Sequence, residues 1–243
     1  EPPKLAHLPL LLNEDKSKLS KRQNDVAVED YLKKGFLPEA LINFIALLGW
    51  HPAKDREIYS LEDLKKEFSL KRISKAGAVF NVEKLNWMNS HYLRNLSLER
   101  VAESAKPFFD NAGINISDKN KFKKVVELVR PRVETLQQMP SEAAVFYDEP
   151  QLETEKLEWA KKESSQKVYK FWTEKLPNLN IDDSSKINAV IKETSKETGV
   201  NGKNLYMPLR IALYGDFHGP EIPELIQILG KAEAIDRMKK LLN

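Results

Sequence analysis

Lys18 and Lys21 stand three residues apart around Ser20, with Leu19 between them and Arg22 beside them, and this is the first place where residue types and spacing suit chemistry. Cations held in fixed positions stabilise charge that builds up in a transition state more than they stabilise the ground state. Lysine suits a mobile loop, because its ammonium is a compact charge on a flexible stem. The same string also reads as a solvated basic loop, since short lysine-rich stretches are common and motif matches carry false positives. Other chemistries find less support. The chain has no cysteine, so it can form neither disulfides nor thiolate metal sites. Its histidines, His7, His51, His91 and His218, lack metal-ligand spacing, and no metal site is expected. Gly199-Val-Asn-Gly-Lys-Asn204 superficially imitates a phosphate loop, but the interval between its glycines is wrong and Asn204 replaces the magnesium-binding hydroxyl. A turn before a helix is the better reading.

The elements that must position such residues are helical. At 243 residues the chain is long enough for one large domain or several small ones, and its 41% hydrophobic, 31% charged composition is that of a globular protein. No apolar run approaches the ~18 residues of a membrane span. There is no signal-peptide pattern either, and a cytoplasmic location is expected. Glu1-Pro-Pro-Lys4 reads as the middle of a longer protein. A net charge of +3 is too small to identify a polyanion partner. Its distribution says more: Lys119, Lys121, Lys123, Lys124, Arg130 and Arg132 make residues 118–140 basic, whereas residues 142–163 are acidic. Such asymmetry suits a protein that offers selected faces to a polyanion.

Periodicity predicts a short helix from Val26 to Lys34 ended by Gly35. A strongly apolar helix follows from Pro38, closed by Gly49 and buried on most sides. Ser60 and Asp63 have the form of a capping box, and Asn81 and Ser97 are good caps for later helices. Ile73 to Phe80 reads as loop or short extended structure. Phe122, Val125, Val129, Val133 and Leu136 follow helical steps that Pro131 interrupts. Ser141 to Pro150 reads as a connector. Helical patterns resume at Leu157 to Trp172 and around Ile187, Val190 and Ile191, then at Leu205 to Tyr214 and Ile222 to Leu229, closing on Gly215 and Gly230. The expected class is all-α, with at most a short hairpin near the N-terminus.

Several blocks together resemble bacterial glutamyl-tRNA synthetase. They are His7-Leu-Pro-Leu-Leu-Leu-Asn-Glu-Asp15 with Lys18-Leu-Ser-Lys-Arg22, Gly35-Phe-Leu-Pro-Glu-Ala-Leu-Ile-Asn-Phe-Ile-Ala-Leu-Leu-Gly-Trp50, and Phe80-Asn-Val-Glu-Lys-Leu-Asn-Trp-Met-Asn89. Arg130-Pro-Arg-Val-Glu-Thr-Leu136, Pro208-Leu-Arg-Ile-Ala-Leu-Tyr-Gly215, His218-Gly-Pro-Glu221 and Leu229-Gly-Lys231 complete the set. They stand in the family's order and spacing. The resemblance implies that Lys18 to Arg22 is the lysine loop of a class I synthetase, with Lys21 the main contact to ATP phosphates, Lys18 assisting and Leu19 backing the adenine. It implies residues 1–22 as the end of a catalytic domain, 23–96 as a helical stem-contact domain, and 97–150 and 151–243 as two parts of an α-helical anticodon-binding cage. The family's His-x-Gly-His turn does not occur in the sequence. The chain is therefore expected to be the C-terminal half of the enzyme, without aminoacylation of its own. ATP and magnesium would serve the full-length enzyme, and none is expected bound here.

The partner implied is glutamate tRNA, bound by a monomer. Arg132 is implied to read the third anticodon base, in a form associated with enzymes that charge only glutamate tRNA. A guanidinium can donate two parallel hydrogen bonds to a base edge, and splayed loop bases can be read this way. Arg210 is implied to face the first two bases, with Gly219 and Ile222 nearby. Tyr214 and Phe217 offer stacking faces or core packing, and Trp87 either faces RNA or seals a domain junction. Read without the resemblance, Arg132 pairs with Glu134 or caps a helix. Two alternatives stand beside this assignment. Glutaminyl-tRNA synthetase shares the lysine loop but reads its anticodon with β-barrels, whose period-2 strands are missing here. A free-standing helical RNA-binding or scaffolding protein would have no need of that loop.

Overall fold

Ser60, Asn81 and Ser97 all cap as their positions require. The computed structural model describes residues 7–19, 27–53 and 55–242. Contacts divide the chain into two units, Glu1–Glu142 and Ala143–Asn243. The class is all-α. The first unit carries strand β1 (Leu11–Leu12), helices α1 (Val28–Lys33), α2 (Pro38–Gly49) and α3 (Leu61–Glu67), strand β2 (Ala78–Val79), and helices α4 (Val82–Asn95), α5 (Leu98–Asn111) and α6 (Lys119–Val129), and α7 (Met139–Ala143) ends at the boundary. Val26, the expected start of the first helix, lies outside the described residues. Asp63 N–H donates to Ser60 Oγ, and the Asp63 carboxylate accepts from Ser60 N–H, completing the capping box of α3.

The small sheet corrects the expected hairpin. β1 pairs in parallel with β2, Leu11 opposite Ala78 and Leu12 opposite Val79. Only one antiparallel bridge, Leu12 with Lys18, closes the Asn13–Ser17 turn. A second correction concerns α2. Ala40, Leu41, Asn43 and Phe44 are buried, but Ile42 and Ile45 on the opposite side are 43% and 48% exposed. Neighbouring helices cover one side of α2, chiefly α3 and α4. Asn43 is the polar centre of that contact, its Oδ1 accepting from Tyr59 N–H at 2.9 Å and from the Tyr92 hydroxyl at 2.8 Å. Burial pushes the Tyr92 phenol up to about 12, so it remains a donor across the physiological range.

Residues 97–142 cluster with the helices before them. Arg130 Nη1 donates to the Leu96 carbonyl at 2.9 Å, and Asn89 Nδ2 donates to the Glu134 carbonyl at 2.5 Å. Phe122, Val125, Val129, Val133 and Leu136 are all buried, but only the first three are on α6. Pro131 ends that helix in a 3-10 turn, Arg130–Arg132, and a second 3-10 turn follows at Leu136–Gln138.

The second unit holds α8 (Thr154–Ala160), α9 (Glu163–Lys175), α10 (Ser184–Thr198), α11 (Lys203–Tyr214) and α12 (Ile222–Lys240) around Val168, Tyr169, Trp172, Ile187, Leu209 and Ile226. The expected Leu157–Trp172 helix is two helices, broken at residues 161–162. Gly215 terminates α11 at φ +79, as expected. Gly230 breaks α12 at φ 79 and ψ 166, but helix resumes beyond it to Lys240, a stretch left unassigned by the pattern. The glycine-lysine string at 199–204 is indeed a turn before a helix. Among the described residues, no helix is long and apolar enough to cross a membrane.

Candidate nucleic-acid interface

The lysine string is seen only in part, because Ser20, Lys21 and Arg22 lie outside the described residues. What precedes them is a tightly bonded turn. Asn13 N–H donates to the Ser17 carbonyl, and the Asp15 carboxylate accepts from both Ser17 N–H and Ser17 Oγ, which holds its pKa below the ordinary value. Lys16 occupies the left-handed region at φ 64 inside this turn. Lys18 leaves it exposed. Leu19 N–H bonds to the Leu11 carbonyl at 2.9 Å, and Leu19 helps line a cavity of about 610 Å³ with Tyr31, Phe36, Phe80 and Gln137.

Arg132 stands exposed on the turn that Pro131 creates. Among the described residues it makes no ion pair, so the pairing with Glu134 that the sequence permitted does not form. Glu134 instead contributes its backbone: its N–H donates to Gln138 Oε1 at 2.7 Å and its carbonyl accepts from Asn89. Leu136 N–H donates to the Gly35 carbonyl at 3.0 Å. The backbone around Arg132 is therefore fixed while its guanidinium is free to meet a ligand. On the same unit, Trp87 leaves α4 at 47% exposure, off the buried Leu85, Met88 and Tyr92 stripe.

In the second unit, Arg210 and Tyr214 lie one helical turn apart on α11, and Tyr206 continues the line one turn earlier. Tyr206 is 39% exposed, whereas Leu205, Leu209, Ile211 and Leu213 around it are buried. Spacing alone could have found Tyr206, since positions 206, 210 and 214 follow the four-residue helical step. Arg210 is half-buried, its Nε has no hydrogen-bond partner, and it makes no ion pair among the described residues. A desolvated guanidinium N–H in that state favours an acceptor supplied from outside. Gly219 belongs to the next loop, where a Cβ would sit 2.6 Å from the Tyr214 ring, so its bareness seats that ring. Ile222 is 1% exposed, and its side chain belongs to the core at the start of α12. Phe217 packs edge-on to Trp159 at 5.9 Å, and Lys162 lies over the same indole. His218 is exposed in the loop. Arg132 and the Arg210 line thus occupy different units.

Comparison with known proteins gives the chain a family. A family described as "anticodon binding domain" matches residues 100–242, and one described as "tRNA synthetases class I (E and Q), catalytic domain" matches residues 1–87. A glutamate–tRNA ligase of Carboxydothermus hydrogenoformans is 42% identical over 99% of this chain and 52% of its own length. One of Clostridioides difficile is 37% identical over 100% and 51%. A crystal structure of a glutamate tRNA ligase from Elizabethkingia meningosepticum, in complex with its amino acid, superposes with a TM-score of 0.84 at 31% identity, covering 99% of this chain and 51% of that one. The chain thus spans about half the length of each of these relatives. Since the anticodon-binding family alone accounts for more than half of its residues and ligases align along all of it, the chain belongs to the anticodon binding domain family and is a homologue of glutamate–tRNA ligases.

Proposed function

We propose that this chain is the tRNA-recognising part of a glutamate–tRNA ligase. Arg132 reads the third anticodon base from its fixed turn. Arg210, with Tyr206 and Tyr214 on the same helix face, meets the first two bases, beside a loop shaped by Gly219 and by Ile222 in the core. Trp87 is a further RNA contact on α4. In domain terms, 23–96 is the stem-contact part, and 97–150 and 151–243 form the anticodon cage. The observation that carries this reading is an exposed arginine without an ion-pair partner among the described residues, on a turn followed by a hydrogen-bonded segment at Glu134, in a family defined by anticodon binding.

The ligase as a whole would activate glutamate with ATP and magnesium and esterify it to glutamate tRNA. Lys18 and Lys21 would lie at the phosphates, where positive charge stabilises the leaving pyrophosphate. Leu19, already facing a cavity beside Tyr31, would back the adenine. The chain alone supplies no complete site for that reaction, and it acts as a monomer in the cytoplasm, where glutamate tRNA is charged.

Binding of the purified chain to a glutamate tRNA transcript, and to one whose third anticodon base is changed from C to G, tests the proposal at stated salt. A bidentate arginine–base contact contributes roughly 1–3 kcal/mol of discrimination. Arg132→Ala is therefore expected to reduce the preference for C by about tenfold or more, leaving salt-dependent binding largely in place. Equal weak binding to every RNA, unchanged by the substitution, would overturn it.

A further inference from the structure

Arg132 keeps its place because the chain on both sides of it is fastened to α4. Upstream, Arg130 Nη1 holds the Leu96 carbonyl just beyond the end of that helix. Downstream, Asn89 holds the Glu134 carbonyl. Positions 89 and 96 are two turns apart and lie on one face of the helix, which makes α4 a rail along which the Arg130–Glu134 segment lies.

Asn89 is fully buried, and its carboxamide has work on both atoms. Oδ1 accepts from Leu37 N–H at 2.8 Å, at the cap of α2, while Nδ2 donates to Glu134. A buried amide is tolerated where its polar atoms find partners. Other groups of the segment are fixed elsewhere: Gln138 Oε1 takes the N–H of Glu134 and Thr135, and the Gly35 carbonyl takes Leu136 N–H. Glu134 C=O depends on Asn89.

We propose that Asn89 is a positioning residue for base recognition: by holding the Glu134 carbonyl it sets the backbone from which Arg132 projects, and so sets discrimination at the third anticodon base. The inference rests on the reading of Arg132 given above. Paired guanidinium hydrogen bonds weaken steeply with misalignment, so a freed Glu134 peptide loosens the contact without removing any group that touches RNA.

The test uses Asn89→Asp, which keeps the acceptor for Leu37 N–H but sets a carboxylate oxygen against the Glu134 carbonyl. Asn89→Ala, which leaves the Glu134 carbonyl without its side-chain donor, serves if melting shows the first variant unfolded. Each is titrated with glutamate tRNA and with transcripts altered singly at each anticodon base, beside Arg132→Ala and the double variant. The expected result is about a tenfold loss of preference at the third base, with preferences at the first two retained and no additional loss in the double variant. Unaltered third-base preference in a folded variant, or an equal loss at all three positions, overturns the proposal. If Arg132→Ala leaves the third-base preference unchanged, the reading of Arg132 has failed and the role of Asn89 falls with it; if Arg132→Ala abolishes that preference while Asn89→Asp leaves it unchanged, or lowers the preference equally at all three bases, the inference alone is at fault.

Discussion

Gly35→Ala is expected to destabilise the first unit by on the order of 3 kcal/mol and to blunt third-base selectivity with it. Gly35 sits at φ +82 just past α1, where an alanine costs about 1 kcal/mol or more in backbone strain. Its Cβ would also fall 2.5 Å from the Gln137 amide nitrogen and 2.8 Å from that of Leu136. Both are backbone atoms, so no side chain can swing away, and overpacking of this kind adds about 1–3 kcal/mol. The atoms displaced belong to the segment that carries Glu134 and, through it, Arg132. Gly113→Ala is the internal control. Gly113 is also left-handed, at φ +71, but has open space where a Cβ would go, so only the strain of about 1 kcal/mol remains. Urea unfolding of both variants, followed by titration with the two tRNA transcripts, separates clash from strain. Equal destabilisation of the two would show that the Leu136–Gln137 backbone yields freely.

Arg237→Met is expected to lower the stability of the second unit by about 3 kcal/mol while leaving its RNA-facing residues chemically intact. The Arg237 side chain is only 3% exposed. Its guanidinium donates to the Leu213 carbonyl and the Asp148 carbonyl, each at 3.0 Å, and to Glu233 Oε1 at 2.7 Å. Methionine fills much of the volume but donates nothing, so the buried Leu213 carbonyl and the part-buried Asp148 carbonyl lose their partner. Glu233 is 39% exposed and can turn to water, so the carbonyls dominate the loss. Leu213 adjoins Tyr214, hence the end of α11 should loosen first. Thermal melting followed by circular dichroism measures the effect, with Lys239→Met, an exposed cation on the same helix, as comparison. A change below about 1 kcal/mol would mean that water replaces the guanidinium at both carbonyls.

The capped helices were legible in sequence because a cap is local: Ser60 needs only Asp63, and Asn81 only the amide of Lys84. Pro131 announced a break for an equally local reason, the missing N–H. Long-range pairing was not legible. Two-residue strands leave no alternation to detect, so the segment holding β2 reads only as loop or short extended structure, and its parallel partner could not be guessed. For α2 the apolar pattern was right, but exposure of Ile42 and Ile45 depends on what covers each side, which one helix cannot state. Arg132 and Arg210 came from motif resemblance, and their lack of ion pairs is a property of neighbours. The role of Asn89 is not legible in sequence, since its partners Leu37 and Glu134 are far away in the chain.

The parallel ribbon has a kinetic consequence. Ala78 N–H to the Leu10 carbonyl and Phe80 N–H to the Leu12 carbonyl, both 2.8 Å, tie the turn that carries Lys18 to the start of α4. So short a ribbon, closing so long a loop, opens far more readily than the helices it joins. Amide hydrogens of Ala78 and Phe80 should exchange with deuterium well before that of Leu85 in α4, and together rather than singly. Exchange of that pattern would mean that the turn before Lys18 docks and releases as one piece, and in the ligase proposed above the docked fraction would limit how often Lys18 stands at a phosphate.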